Sequence, residues 1–270
     1  MVVMDKTRLA GKKALITGGA QGMGAAIAKY WAAQGAAVCV ADLNEEGVEK
    51  VAEEIKADGG EATFIKLDVQ DEDQAKAAVD HTAKTFGEIN LLLNNAGVNK
   101  PLFFPDITKA NYDFIMGVNT WGSLNVMQKV THKMIDQGKR EYPYKIINVG
   151  SILSREAFDD VTVYTMSKHA ILGLIKAGAK SLWQYGITVN GYGPGVVRTE
   201  LWEQLDKDLV EIGKFDKVGK SMDDIAENMI LMQRYSYPED VVGTAAFLAS
   251  PESDYMTGQL LMIDGGMVIQ

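Results

Sequence analysis

Tyr164 and Lys168 stand four residues apart in a stretch whose apolar pattern predicts a helix from Val161 to Gln184, so their side chains leave the same helical face. Of the ten tyrosines, only Tyr164 has a lysine at that spacing. An ammonium beside a phenol favours the phenolate and lowers its pKa toward working pH, which makes the pair a candidate acid/base. Ser151 follows a predicted strand, Lys145 to Val149, and a hydroxyl there can donate to a carbonyl oxygen. A tyrosine–lysine pair at helical spacing is by itself more often a surface pair. Its weight comes from sharing one edge of the fold with Ser151 and a nucleotide turn.

That turn is the second set of residues with chemistry. The apolar run Lys13 to Thr17 bends through Gly18-Gly19-Ala20-Gln21-Gly22-Met23-Gly24 into a helical pattern carrying Ile27, Tyr30 and Trp31. A second apolar run, Ala37 to Ala41, then ends on Asp42. A backbone bent this tightly visits positive φ, and a Cβ would hold a pyrophosphate away from the amides, so both demands select glycine. The helix beginning near Gly22 points its positive dipole end and free N–H groups at phosphate. Asp42 can accept hydrogen bonds from the adenosine ribose and repels a 2′-phosphate. Neither Gln21 nor Leu43 offers a cation for that phosphate, so the expected cofactor is NAD(H) rather than NADP(H). Glycines alone also suit an empty turn; the strand before, the helix after and the acid on the next strand argue for the dinucleotide.

The elements that must position these groups alternate along the chain. Further strands are predicted at Ala62 to Leu67, Ile89 to Leu93, Ile187 to Gly191 and Gln259 to Ile263. Helical patterns cover 44–57, 71–86, a long stretch from Asn111 to Gln137 with Asn119 in its middle, and 238–250. Such alternation gives an α/β fold: a single doubly wound parallel sheet, helices on both faces, ligands at the carboxyl ends of the strands. Asp42, Asp68, Asn95, Ser151 and Pro194 all fall at such ends, so one site would collect them. Residues 199–237 interrupt the alternation and read as a helical insertion for substrate, with Met222, Met229 and Met232 expected to pack it against the sheet. With no repeat or linker, 1–270 reads as one domain.

Composition narrows the class. An apolar share of 47% with 23% charged residues is that of a soluble globular protein. A net charge of −9 argues against nucleic acid or an anionic membrane as the main partner. The one cysteine, Cys39, lies within an apolar strand, which excludes a disulfide framework and suits a reducing cytoplasm. Met1 to Ala10 has neither a signal-peptide pattern nor an anchor, and no window is apolar enough to span a membrane. His81, His132 and His169 are scattered over helices without metal spacing, so no catalytic metal is expected.

At these residues the chain resembles the short-chain dehydrogenase/reductases over essentially its whole length. Thr17-Gly18, Gly22 and Gly24 match that family's glycine turn, and Asn94-Asn95-Ala96-Gly97 its Asn-Asn-Ala-Gly motif. Ser151 and Tyr164 to Lys168 match its Ser and Tyr-x-x-x-Lys pattern, Asn119 its catalytic asparagine, and Pro194-Gly195 with Thr199 its Pro-Gly…Thr loop. The resemblance implies a Rossmann-type oxidoreductase moving hydride between nicotinamide and a carbinol carbon. Tyr164 would be the acid/base, and Ser151 would orient the substrate oxygen. Lys168 would bind the nicotinamide ribose and lower the phenol pKa, with Asn119 holding a water that relays protons from Lys168. Asp68 and Val69 would flank adenine, Asn95, Ala96 and Gly97 would line the adenosine and its ribose, and Val197 and Thr199 would contact the carboxamide. A homotetramer is expected from the same resemblance.

Ile187 to Val197 with Leu201-Trp202, and Ser253 to Gln259 through Asp264 to Val268, are similar to the acetoin reductase/2,3-butanediol dehydrogenase group. One departure stands out: that group has polar side chains where this chain has Ile152 and Phe158. Apolar residues there would leave a small diol's second hydroxyl unpaired, which points to a larger or less polar ketone. Ile152, Leu153, Phe158 and Trp202 are the candidate substrate contacts, with Trp183 a further candidate wall. The alternatives are a polyol (sorbitol-type) dehydrogenase using Arg155, Glu156 and the insertion, or a catalytically silent NAD-binding regulator. Retention of Ser151, Tyr164 and Lys168 argues against the regulator.

Overall fold

Runs of Val, Ile, Leu and Ala become strands where both of their faces can be covered, and the central strands here are almost wholly buried. The computed structural model describes residues 7–269; Gln270 and the first six residues of the Met1 to Ala10 stretch lie outside it. Its strands are β1 (Lys13–Thr17), β2 (Ala37–Asp42), β3 (Glu61–Lys66), β4 (Leu91–Asn94), β5 (Tyr144–Val149), β6 (Ile187–Pro194) and β7 (Leu260–Ile263). They form a single seven-stranded sheet in the order β3-β2-β1-β4-β5-β6-β7, parallel at every pairing. The order reverses between β1 and β4, so a crevice opens at their carboxyl ends.

Helices cover both faces. On one lie α1 (Gly22–Ala33) and α2 (Glu45–Ala57), joined from the far end of the chain by α9 (Pro238–Ala249). Their core includes Ile27, Trp31, Val51 and Val241. On the other lie α3 (Glu72–Phe86), α4 (Lys109–Met116), α5 (Ser123–Asp136) and α6 (Thr162–Leu182). Val79, Val126, Met134 and Ala179 fill that second core. The Rossmann-type doubly wound architecture expected from the alternation is the one observed.

Several details differ from the expectation. The long helix over Asn111 to Gln137 is split by a π-helical turn, Gly117–Gly122, which carries Asn119. A Cβ on Gly117 would lie 2.3 Å from Gln70 Oε1, and one on Gly122 2.4 Å from Val69 Cγ2, so the glycines let this turn press on the 69–70 loop. Strand β6 runs on to Pro194 because Gly191–Pro194 pair with Leu260–Ile263 of β7. The insertion is helical, with α7 (Glu200–Glu211) and α8 (Lys220–Asn228) tied by Asp206, whose carboxylate accepts from Gly219 N–H and the Ser221 hydroxyl. Met222 is buried there, but Met229 and Met232 are 43% and 69% exposed and do not pack it. Helix α8 stops at Asn228, ahead of both. Trp183 is also solvent-facing and lines neither cavity of the candidate site. Among the described residues no helix is long and apolar enough to cross a membrane.

Candidate active site

Where β1 ends, the chain turns through two left-handed glycines, Gly18 at φ +66° and Gly22 at φ +55°. Gly24 sits where helix and strand meet: a Cβ there would come 2.1 Å from Gly18 O. The turn is held from β4 by Asn95, whose Nδ2 donates to Thr17 O (3.1 Å) and Gly18 O (2.9 Å) while its Oδ1 is buried without a partner. Asp42 accepts from Ala20 N–H at 3.3 Å and Asn44 N–H at 3.0 Å and forms no ion pair among the described residues. Lys66, its register partner on β3, instead faces Glu45 at 3.9 Å.

Beside this turn is a cavity of about 370 Å³. It is lined by Gly18, Gln21, Gly22, Met23, Asp42, Leu43, Asp68, Val69, Asn95, Ala96, Gly97 and Thr199, all expected to touch the cofactor. Gly24 supports the turn from behind rather than facing the space. A backbone cradle that a Cβ would fill, an unpaired buried acceptor and an unpaired carboxylate fit a dinucleotide. Gln70, Phe114, Val118, Glu200 and Leu201 line the same cavity and were missed by motif reading. Glu200 is the notable one: its Oε2 lies 3.3 Å from the Cβ position of Gly22, so a carboxylate faces the phosphate turn.

A second cavity of about 370 Å³ adjoins the first, sharing Met23, Thr199 and Leu201. Ser151, Tyr164, Pro194, Gly195 and Val197 line it, as do Ile152, Leu153, Phe158 and Trp202. Leu201, Leu205 and Leu209 add an apolar stripe from α7, legible in the sequence as an i, i+4, i+8 repeat. Lys214 closes one side through ion pairs with Asp159 (2.7 Å) and Asp160 (3.8 Å).

The expected reactive group is assembled at the second cavity, which Ser151 and Tyr164 line, with Lys168 and Asn119 lining neither cavity. The Ser151 side chain faces the Tyr164 phenol, and the Ser151 hydroxyl accepts from Leu153 N–H at 3.1 Å. The Lys168 ammonium lies 5.4 Å from the centre of the Tyr164 ring and donates to Val149 O at 2.9 Å. Asn119 Oδ1 accepts from Val98 N–H at 2.8 Å, and its Nδ2 donates to Val98 O (2.9 Å) and Ser167 Oγ (3.0 Å), pinning the loop after β4 to α6. One expectation fails: the phenol is not pulled down. Burial pushes it up to about 12, opposed only by the Ser151 side chain. Burial also lowers the Lys168 amine to about 8, which weakens the cation meant to favour the phenolate. Among the described residues no group of three or more His, Cys, Asp and Glu could hold a metal; His81 pairs with the Thr63 hydroxyl at 2.9 Å.

Known proteins share this arrangement over nearly the whole chain. A family model described as Enoyl-(Acyl carrier protein) reductase matches residues 18–268. The L-2,3-butanediol dehydrogenase of Corynebacterium glutamicum is 39% identical, covering 95% of this chain and 98% of its own. A sorbitol dehydrogenase of Cereibacter sphaeroides is 36% identical, covering 96% and 98%. The crystal structure of a short-chain type dehydrogenase/reductase from Mycobacterium marinum superposes with a TM-score of 0.88 at 32% identity, over 99% of this chain and 100% of that one. Likeness of this extent, in sequence and in fold together, places the protein in the short-chain dehydrogenase/reductase family, oxidoreductases that use a nicotinamide cofactor.

Proposed function

We propose that this protein is an NAD(H)-dependent oxidoreductase interconverting a secondary alcohol and its ketone. The observation that carries the reading is the Tyr164 phenol, facing Ser151 on the wall of one largely apolar cavity beside the nucleotide turn. Bound nicotinamide supplies or accepts the hydride at the carbinol carbon. In reduction Ser151 donates to the substrate carbonyl and Tyr164 delivers the proton to that oxygen; in oxidation Tyr164 takes it back. A phenol raised by burial stands ready as the acid at neutral pH. Lys168 holds the nicotinamide ribose. Asn119 keeps the path from Lys168 in shape, and a water beside it serves as the proton relay. Asp42, unpaired at the tip of β2, selects NAD(H) by accepting from the ribose hydroxyls.

Apolar walls from Ile152, Phe158 and α7 suit a ketone of low polarity, and the butanediol relative supports a short diol or hydroxyketone among such substrates. The polyol reading is favoured by one observation, the charged Lys214, Asp159 and Asp160 along the same cavity. A homotetramer belongs to the proposal, supported by the exposed Phe114, Trp121 and Leu124 on the long split helix; light scattering tests it. The decisive experiment is a panel of acetoin, simple ketones and sorbitol with NADH or NAD⁺, run alongside Tyr164→Phe. Turnover that survives this substitution would remove the acid/base assignment, and faster turnover of sorbitol than of ketones would favour the polyol reading.

A further inference from the structure

The turn after β5 carries a second serine that the acid/base scheme leaves unused. Ser154 ends the 3₁₀ turn Ile152–Ser154 and is 1% exposed. Its hydroxyl accepts from Ser151 N–H at 3.2 Å and donates to Lys168 O at 2.8 Å. One oxygen thus joins the backbone of the residue bearing the orienting hydroxyl to the backbone of the residue bearing the ammonium. Ser154 N–H also donates to Ser151 O at 2.9 Å, so the two serines are held by bonds in both directions. Gly150 makes the room: a Cβ there would lie 2.9 Å from Ser154 Oγ.

Only a hydroxyl both donates and accepts within this small volume. Alanine would strand the buried Ser151 N–H, and the turn would lose the side-chain bond that holds it to the α6 backbone at Lys168. A second tie of α6 is made by the preceding residue, where Ser167 Oγ donates to Tyr164 O at 2.7 Å and receives from Asn119. Ser167 steadies the tyrosine's backbone against the loop after β4, whereas Ser154 relates it to Ser151.

We infer that Ser154 is a positioning residue for the proposed reaction, its hydroxyl setting the separation between the Ser151 hydroxyl and the face bearing Tyr164 and Lys168. This rests on the acid/base reading above. Displacing a reacting group by about 1 Å costs roughly a hundredfold in rate, so a loosened Ser151 shows in turnover before it shows in cofactor binding.

The test uses the full chain with acetoin and NADH, comparing wild type, Ser154→Ala, Ser154→Cys and Tyr164→Phe, with active molecules counted by NADH fluorescence titration. Ser154→Ala is expected to lower kcat per NADH-binding molecule by roughly tenfold to a hundredfold. The NADH Kd stays the same, and in the reverse alcohol oxidation the rise of kcat with pH shifts to higher pH as Ser151 moves away from the phenol. Should Ser154→Ala fail to fold, Ser154→Cys carries the test, because a thiol keeps the shape with a weak donor and acceptor. An unchanged kcat and pH profile in the folded variant, with Tyr164→Phe inactive, overturns the role of Ser154 alone. A drop in yield or melting temperature with kcat per binding site intact overturns it too, leaving a purely structural serine. If Tyr164→Phe reduces acetoin as fast as wild type, the acid/base reading falls and this inference with it.

Discussion

Two buried lysines stand at opposite ends of β5, and their surroundings differ in one respect. Lys145, at the start of the strand, is 1% exposed and meets Asp254 at 2.8 Å and Ser253 Oγ at 2.9 Å. Lys168, whose ammonium reaches Val149 O at the end of the strand, is 6% exposed and has only neutral partners. Burial lowers both amines, but Asp254 pushes back on Lys145 while nothing opposes it at Lys168, which falls to about 8. A buried charge with its counter-ion belongs to the frame; one without is costly to the fold and persists where a ligand uses it. Asp42 is the matching case of opposite sign, a carboxylate at a strand end with no cation. These two unpaired charges, Lys168 and Asp42, lie at the carboxyl rim of the sheet, and the paired Lys145 sits at the other edge.

The comparison can be broken in several ways. The largest effect belongs to the proton itself: Tyr164→Phe should lower kcat about a thousandfold while NADH still binds, and activity above a tenth of wild type contradicts it. Next, the two lysines should separate activity from stability. Lys168→Met should cost about a hundredfold in kcat with no loss of melting temperature. Asp254→Ala should cost about 3 kcal/mol in urea unfolding, because it strands the buried Lys145, yet leave kcat per folded molecule unchanged. Equal losses of both kinds in both variants would erase the distinction.

Protonation sharpens it further. Between about 8 and the ordinary lysine value of 10.5, the unfolded chain holds a proton that native Lys168 has lost, so the contribution of Lys168 to stability rises with pH through that window, against the opposite contribution of Cys39, whose thiol burial raises to about 12. Lys12, also lowered to about 8, contributes in the same sense as Lys168. Lys168→Met should therefore flatten part of the rise, and an identical slope in wild type and variant would refute the burial of an unpaired amine. Because Tyr164 is raised to about 12, alcohol oxidation should climb with pH across the accessible range while ketone reduction, which uses the protonated phenol, stays level. The smallest effect concerns the carboxylate: Asp42→Ser should narrow the preference for NADH over NADPH by roughly tenfold, read from the two kcat/KM values.

Much of the site could be read from the chain because its determinants are local. A glycine turn must bend wherever it occurs, a lysine four residues after a tyrosine shares its helical face, and a polar residue ending a buried strand reaches the rim. The π-helical turn was invisible because it depends on what Gly117 and Gly122 meet, Gln70 and Val69. Glu200 at the phosphate turn was missed for the same reason, since contact across 178 residues leaves no periodic mark. Met229 and Met232 were misplaced because apolar character alone does not say where a helix stops.

By itself the sequence determined the order of strands and helices, the family motifs and which side chains end up at the carboxyl rim. These follow from backbone sterics and hydrophobic period, which act over a few residues. Only the tertiary structure decided the direction of the phenol and amine shifts, the absence of a counter-ion at Lys168 and the tie that Ser154 makes. Those depend on how far water is excluded and on which distant groups come within a few ångströms, and the chain settles both only when the sheet, α6 and the insertion close together.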